Sequence, residues 1–247
     1  VAVITIGSDP LNEIFIKARE DACNRCGIYF RYHNFEENTP ELTIINKIKE
    51  LNNDDYVNGI MIDTPLPEKY NEKRLFNTII NSKDINGVTD INIGRLISGR
   101  KTIIPCAAEA IVELLKLYNI EFDGKEVVIV GNCKLVGKPL INIFLDAGAT
   151  VTICSLHTKD ISKYTKEADI VVSCINSKNI IKENMVKEGS IIVDAGYSYD
   201  NGKVNGDVDY NKVSKKVYLI TPSKDRITDL SIAMFLKNII SCYKSKK

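Results

Sequence analysis

Histidine is almost missing from this sequence: His33 and His157 are its only two, they lie far apart, and neither has a metal-ligand residue at useful spacing. No histidine-based metal site is expected, and no metal is assigned. Long apolar runs are missing too, since none approaches the roughly 20 residues that a bilayer-spanning helix needs. The opening VAVITIG carries neither the basic region nor the cleavage site of a signal peptide, and Val1 reads as the start of a core strand that further residues precede. Charge imbalance is absent, with 33 basic residues against 32 acidic and a net charge of +1. The whole chain therefore offers no electrostatic reason to bind nucleic acid or an anionic membrane. There is no internal repeat and no low-complexity block, and the lysines from Lys244 onward read as a frayed tail.

What is present is an ordinary globular composition. With 247 residues and 44% apolar content, the chain can bury one large core or two modest ones. Seven cysteines, an odd number scattered along the chain, indicate reduced thiols in the cytoplasm and not a disulfide framework. Cys23 and Cys26 form a CxxC, but near the end of a predicted helix. A redox CxxC needs a helix N-terminus to lower its thiol pKa, and zinc would need two further ligands, so both are read as structural.

Short apolar runs alternate with amphipathic segments from end to end, the pattern of a mostly parallel sheet flanked by helices. Strands are expected at Ala2–Ile6, Ile28–His33, Gly59–Ile62, Val127–Val130, Thr150–Cys154, Ile170–Cys174, Ile191–Asp194 and Val217–Ile220. Asp9-Pro10 supplies an N-cap followed by proline at the first helical position, for a helix that stops at Gly27. Further helices are expected near Leu42–Leu51, Cys106–Tyr118, Pro139–Ala147 and Ile227–Tyr243. The break at Asn119–Gly124 sets a domain boundary: an α/β lobe over residues 1–121, joined by the C-terminal helix within 227–247, and a Rossmann-like lobe over 122–226.

The segment EVVIVGNCKLVGKP, Glu126–Pro139, reads as a buried parallel strand, a glycine turn and a helix N-terminus. Such a turn presents free backbone N–H groups to a pyrophosphate. It departs from the usual dinucleotide fingerprint, because Gly131 and Gly137 are six apart with no central glycine. An acidic reader of a 2′-hydroxyl, due about 20 residues later, is missing from Cys154–Lys159. Ser155, His157, Thr158 and Lys159 suit a 2′-phosphate better, so NADP is favoured over NAD; the bland alternative is a solvated polar loop.

In order along the chain stand IGSDPLNEIFIKARED (Ile6–Asp21), DTPLP (Asp63–Pro67), KDINGVTDINIGRL (Lys83–Leu96), IPCAAEAIVELL (Ile104–Leu115), VGNCKLVGKPL (Val130–Leu140), EADIVVSC (Glu167–Cys174), IIVDAG (Ile191–Gly196), NGKVNGDVDY (Asn201–Tyr210) and ITPS (Ile220–Ser223). Taken together, these resemble the methylenetetrahydrofolate dehydrogenase/cyclohydrolase family over essentially the whole chain. The resemblance implies two α/β lobes, an N-terminal folate-type catalytic lobe and a C-terminal dinucleotide-binding lobe, flanking a cleft, commonly in a homodimer. It also implies hydride transfer from methylenetetrahydrofolate to a nicotinamide cofactor, in most members followed by hydrolysis of the methenyl product.

Carried over residue by residue, the resemblance places Phe15 where the family has a tyrosine and Arg19 where it has a lysine facing the folate. Asp63 stands for a glutamine ahead of the PLP segment, which includes Pro65 and Leu66, and Asn86 stands for an aspartate that holds the pterin edge. Arginine stays protonated, so Arg19 cannot act as a general base. Arg19 and Asp63 would form a charge-neutral pair, either a coherent replacement or drift to a salt bridge in a cleft without its ligand. In the cofactor lobe, Asn132-Cys133 replaces Arg-Ser, and Gly131, Cys133, Lys134, Gly137, Ser155 and Thr221 are the expected cofactor contacts. The glycine-rich run after the TP dipeptide is replaced by Ser223–Asp229, where Lys224 and Arg226 would either obstruct a ligand, bind an anion or form an ordinary surface loop.

The leading expectation is an NAD(P)-dependent methylenetetrahydrofolate dehydrogenase with weak or absent cyclohydrolase activity. The rivals are a non-catalytic paralogue that binds a ligand or a protein partner, and an enzyme that uses Arg19 to hold the carboxylate of another small substrate.

Overall fold

The computed structural model describes residues 1–8, 10–200, 203–222 and 227–245. The expected N-cap Asp9, the loop residues Lys224 and Arg226 and the last two lysines lie outside the described residues. The chain divides into two compact units, residues 1–106 with 232–247, and residues 107–231.

The first unit contains strands β1 (Ala2–Ile6), β2 (Arg31–Phe35) and β3 (Ile60–Ile62). They form a parallel sheet in the order β2-β1-β3. All five residues of β1 are buried, as a central strand with neighbours on both sides demands. Helices α1 (Pro10–Arg25), α2 (Glu41–Asn53), α3 (Glu72–Thr78) and α4 (Asp90–Ile97) connect and flank the sheet. Val3, Ile16, Cys23, Met61, Phe235 and Ile239 belong to one buried cluster, so the C-terminal helix contributes to this core.

Strand β2 begins at Arg31, three residues later than the sequence pattern indicates. Ile28 and Phe30 are apolar for another reason: they pack against the core cluster from the loop that closes α1. Gly27 has φ +69° and the Ile28 N–H donates to Cys23 O at 2.9 Å. That is a Schellman stop whose hydrophobic partner is Ile28. Helices α3 and α4 lie outside the helices expected from the sequence pattern; both are short and begin at side-chain caps, Asn71 accepting from Arg74 N and Thr89 from Asn92 N.

The second unit carries most of α5 (Cys106–Leu117), then β4 (Glu126–Val130), α6 (Gly137–Asp146), β5 (Thr150–Cys154), α7 (Ser162–Thr165), β6 (Ile170–Ser173), β7 (Ile191–Asp194), β8 (Ser198–Asp200), β9 (Lys203–Asn205), α8 (Tyr210–Val213) and β10 (Leu219–Ile220). The start of α9 (Thr228–Lys244) also belongs to it, before the chain returns to the first unit at Ile232. Five parallel strands run in the order β10-β7-β6-β4-β5, and β8-β9 is a separate antiparallel hairpin. β4 is flanked by β5 on one side and β6 on the other, so the connections reverse direction between β4 and β6. In an open α/β sheet, this switch point at the carboxyl ends of the strands is where ligands bind.

Strand β10 is shorter than expected, starting at Leu219 instead of Val217. The Val217 N–H is taken by Val213 O in the turn that ends α8. Helix α5 stops as the sequence break at Asn119 requires: Asn119 has φ +56° and the Ile120 N–H returns to Leu115 O at 3.0 Å.

Candidate functional site

In the first unit, α1 presents Phe15 and Arg19 one turn apart, and both are half-buried. Asp63 follows β3, its N–H donating to Ile4 O at 2.9 Å, so the strand ladder itself fixes where the carboxylate starts. Arg19 Nη1 lies 3.1 Å from Asp63 Oδ1, with the two side chains 16% and 7% exposed. The charges touch without aligning as a hydrogen bond. Among the described residues, buried Arg19 Nη1 and Asp63 Oδ2 have no hydrogen-bond partner. The Arg19 guanidinium also stacks 5.9 Å above the Phe235 ring of α9, a cation–π contact with no sequence signal linking the two positions.

Beyond Asp63 comes the DTPLP segment, with a cis bond between Thr64 and Pro65. Pro65 is exposed and Leu66 half-buried. Asn86 is nine-tenths buried in the turn after Lys83 and Asp84. That turn is held from two sides. Lys83 Nζ donates to the carbonyls of Leu51, Asn52 and Asp54 at 3.0, 2.6 and 2.8 Å, placing a buried cation on the C-terminal end of α2. Asp84 Oδ2 accepts from Thr89 N at 2.8 Å and from Asn92 Nδ2 at 2.9 Å, while its Oδ1 is buried without a hydrogen bond among the described residues. In the sequence, Lys83 and Asp84 stand out only as the first two residues of KDINGVTDINIGRL. Their work is to hold Asn86 in place.

In the second unit, the turn between β4 and α6 is built on close backbone approach. Gly131 has φ +122°, and a Cβ there would meet Cys174 O at 2.6 Å. A Cβ on Gly137 would collide with the Gly131 carbonyl oxygen. Both glycines are therefore required, although the usual central one is absent. The Cys174 thiol donates to Gly131 O at 3.4 Å, on the inner side of this turn. Hydrogen bonding with Cys174 first, and with the backbone of Gly137, Val136 and Leu135 after it, holds the Cys133 thiol low, at about 6. The Cys174 thiol is pushed upward by its interaction with Cys133 and then by burial. Cys133 and Lys134 are exposed.

Ser155 follows β5 and makes a tight turn with Thr158, whose Oγ1 accepts from Ser155 N at 2.9 Å. Gly131 N donates to Cys154 O at 2.9 Å, so this turn and the glycine turn sit at the same end of the sheet. Thr221 lies at the carboxyl end of β10 and its Oγ1 accepts from Asp194 N at 2.8 Å. Asp194 and Asp207, absent from the expected site, organise the loops beside it. Asp207 accepts from Ser173 Oγ, Ile175 N and Ser177 N, and Asp194 accepts from the N–H groups of Gly196, Asp207 and Val208. A side chain on Gly196 would collide with the Asp207 carboxylate, which ties the DAG motif to the NGDVDY motif.

The same unit has an apolar cavity of about 80 Å³ between α5 and the β7-β10 edge, walled by Leu115, Tyr118, Val193 and Leu219. Its lining is mostly aliphatic, with Tyr118 and Thr221 as the members that carry a hydroxyl. Among the described residues, no three His, Cys, Asp or Glu side chains are grouped to hold a metal, and no helix is long and apolar enough to cross a membrane.

Residues 1–86 match the model of the tetrahydrofolate dehydrogenase/cyclohydrolase catalytic domain, and residues 105–247 match that of the NAD(P)-binding domain of the same family. The chain is 41% identical to the bifunctional protein FolD of Clostridium tetani over 244 residues, covering 99% of this chain and 88% of that one. It is 38% identical to FolD of Campylobacter jejuni strain RM1221 over 248 residues, covering 100% and 88%. The crystal structure of the bifunctional enzyme from Campylobacter jejuni superposes with a TM-score of 0.94 at 38% identity, over 100% of this chain and 88% of that one. The Trypanosoma brucei methylenetetrahydrofolate dehydrogenase-cyclohydrolase, complexed with NADP and an inhibitor, superposes at 0.95 with 25% identity, over 99% and 86%. With motifs, both domains and fold in agreement, the chain belongs to the tetrahydrofolate dehydrogenase/cyclohydrolase family.

Proposed function

We propose that this protein is an NADP-dependent 5,10-methylenetetrahydrofolate dehydrogenase with little cyclohydrolase activity. The observation that carries the second half is the buried Arg19–Asp63 pair. Hydride transfer asks chiefly that the donor carbon and the nicotinamide be held in register. Hydrolysis of a methenyl group asks in addition for a side chain that gives and takes protons. Arg19 remains a cation at every working pH, and Phe15 has no hydroxyl to relay a proton. The pair is suited to orientation: Asp63 Oδ2 and Arg19 Nη1 are buried with no hydrogen-bond partner among the described residues, an acceptor and a donor that would serve the pterin edge once the site admits it. Asn86 adds an amide, and Phe15, Pro65 and Leu66 supply apolar contact for the folate.

The glycine turn suits a dinucleotide because Gly131 and Gly137 leave space that a Cβ would fill. Gly131, Cys133, Lys134 and Gly137 would hold the pyrophosphate, Ser155 the ribose phosphate, and Thr221 would contact the cofactor near β10. The nicotinamide, once bound, supplies the hydride acceptor; the protein supplies position. Following the family resemblance, we read the enzyme as a homodimer, with residues 1–121 and 227–247 as the substrate lobe and 122–226 as the cofactor lobe.

The decisive assay mixes purified protein with methylenetetrahydrofolate and NADP or NAD and follows the absorbance of the reduced cofactor. Reduced NADP should accumulate, while added methenyltetrahydrofolate should be hydrolysed about 10²-fold or more slowly than by an Arg19→Lys variant, the scale of general acid–base catalysis. Absence of turnover with either nucleotide would overturn the dehydrogenase reading, and rapid methenyl hydrolysis by the unaltered enzyme would overturn the role given to Arg19.

A further inference from the structure

Among the buried residues of α9, Phe235, Asn238, Ile239 and Cys242, the asparagine is the one with an amide. Asn238 is only 3% exposed, and its Nδ2 donates to Ile85 O at 3.0 Å and to Ile104 O at 2.9 Å. An amide nitrogen has two hydrogens, so both are spent on backbone carbonyls. Those carbonyls lie 153 and 134 residues away along the chain, and both concern the turn that carries Asn86.

Ile85 O belongs to the same planar peptide unit as Asn86 N, so a bond that fixes this carbonyl fixes the direction in which the chain enters Asn86. The chain leaving Asn86 is constrained by the second segment. Gly87 has φ +62°, and a Cβ there would stand 2.4 Å from Ile103 O, next to the Ile104 carbonyl that Asn238 holds. One amide thus ties the residue before Asn86 to the backbone against which the residue after it is packed. The supports already described act elsewhere: Lys83 Nζ and the Asp84 carboxylate hold their own residues, and Ile85 N–H donates to Ile60 O at 3.2 Å. The Cys106 thiol, 3.8 Å from Ile85 O, is a weak donor beside an amide. Phe235, three residues before Asn238 and so on the same face of α9, is the ring on which Arg19 stacks. That helix face therefore borders the Arg19 side of the site as well.

We propose that Asn238 is a positioning residue of the folate site, aiming the Asn86 amide at the pterin edge through the Ile85–Asn86 peptide. This role rests on the reading of Asn86 as a pterin contact. Without the Asn238 amide the peptide plane is free to turn, and Asn86 turns with it. The pterin then loses a hydrogen bond in the ground state and the transition state alike, a loss that raises KM and leaves kcat nearly unchanged.

The test compares the dehydrogenase kinetics of the full chain with methylenetetrahydrofolate and NADP for Asn238→Leu, Asn86→Ala and the double variant. Asn238→Leu should raise the folate KM by about tenfold, the scale of one lost hydrogen bond, with kcat and the NADP KM little changed. Asn86→Ala should raise the folate KM by a similar factor. Adding Asn238→Leu to it should change nothing more, since the residue through which Asn238 acts is gone. Losses that multiply in the double variant would mark Asn238 as general support of the fold and overturn the proposal, as would a fall in kcat at unchanged KM. Asn238→Ser, smaller and still a donor, takes the place of the leucine variant in the same cycle should that one not fold. If the unaltered protein binds methylenetetrahydrofolate without turning it over, the cycle is read in calorimetric dissociation constants. If it neither binds nor turns over this substrate, the reading of the folate site fails and the positioning role falls with it; normal binding with an unchanged folate KM in Asn238→Leu overturns the positioning role alone.

Discussion

Asp63 is a carboxylate with one oxygen against a guanidinium and the other buried without a hydrogen bond. Removing its partner should be costly, because a buried charge left uncompensated is worse than a buried pair or none. Arg19→Met should destabilise the fold by about 3 kcal/mol on that argument, read from the urea midpoint at unchanged slope. The double variant Arg19→Met with Asp63→Asn should recover most of the loss, and a double variant no better than the single would show that the pair contributes little. Cys133 gives a prediction in pH. Its folded pKa lies below the ordinary thiol value, at about 6, so its contribution to stability is present above the unfolded value and is lost as pH falls through about 6. The groups facing it are the Cys174 thiol and the helix N–H donors, with Asp207 acting on Cys174. Alkylation of Cys133 by iodoacetamide should rise with a midpoint near pH 6, and a midpoint near 9 would contradict the arrangement. At this scale the sequence exposed the pairing of Arg19 with Asp63 through family positions, but not the stacking on Phe235, which joins residues distant along the chain.

Among the elements, the buried strands were legible because a run such as Val127–Val130, apolar on both faces, suits only a strand covered from both sides. The edge strand was less so: β2 alternates half-buried and exposed residues, and the apolar Ile28 and Phe30 just before it belong to a helix stop. Helices α3 and α4 escaped because seven or eight residues hold too few apolar turns to announce a period, and only their caps mark them. Lys83 shows the same limit from another side. A lysine in a turn reads as solvated, yet this one is fully buried and binds three carbonyls at the end of α2. Lys83→Met keeps the stem but strands those carbonyls, and should cost about 3 kcal/mol, the range for hydrogen bonds to a buried charge. Loss of folate affinity should accompany it, since Asn86 hangs from the same turn; a chemical denaturation curve and a folate titration test both parts.

For the molecule as a whole, the nucleotide should stabilise the fold by mass action. At about 100 times its dissociation constant, NADP should add about 2.7 kcal/mol to the transition that includes the second unit, and raise its midpoint by several degrees. No shift at saturating NADP would count against the binding site on the glycine turn. The compact units divide at residues 106 and 231, while the local sequence break falls at Asn119–Gly124. The two criteria answer different questions: a break in periodicity marks where a helix ends, and compactness marks what that helix packs with. Sequence alone determined the alternation of strands and helices, the parallel character of the sheets, the glycine turn and the family, because each is written in local pattern, turn chemistry or ordered motifs. Only the tertiary structure decided that Arg19 stacks on Phe235, that Lys83 closes α2, and that Asp207 gathers the loop after β6. Those are contacts between residues far apart in the chain, and packing brings them together where no local preference can.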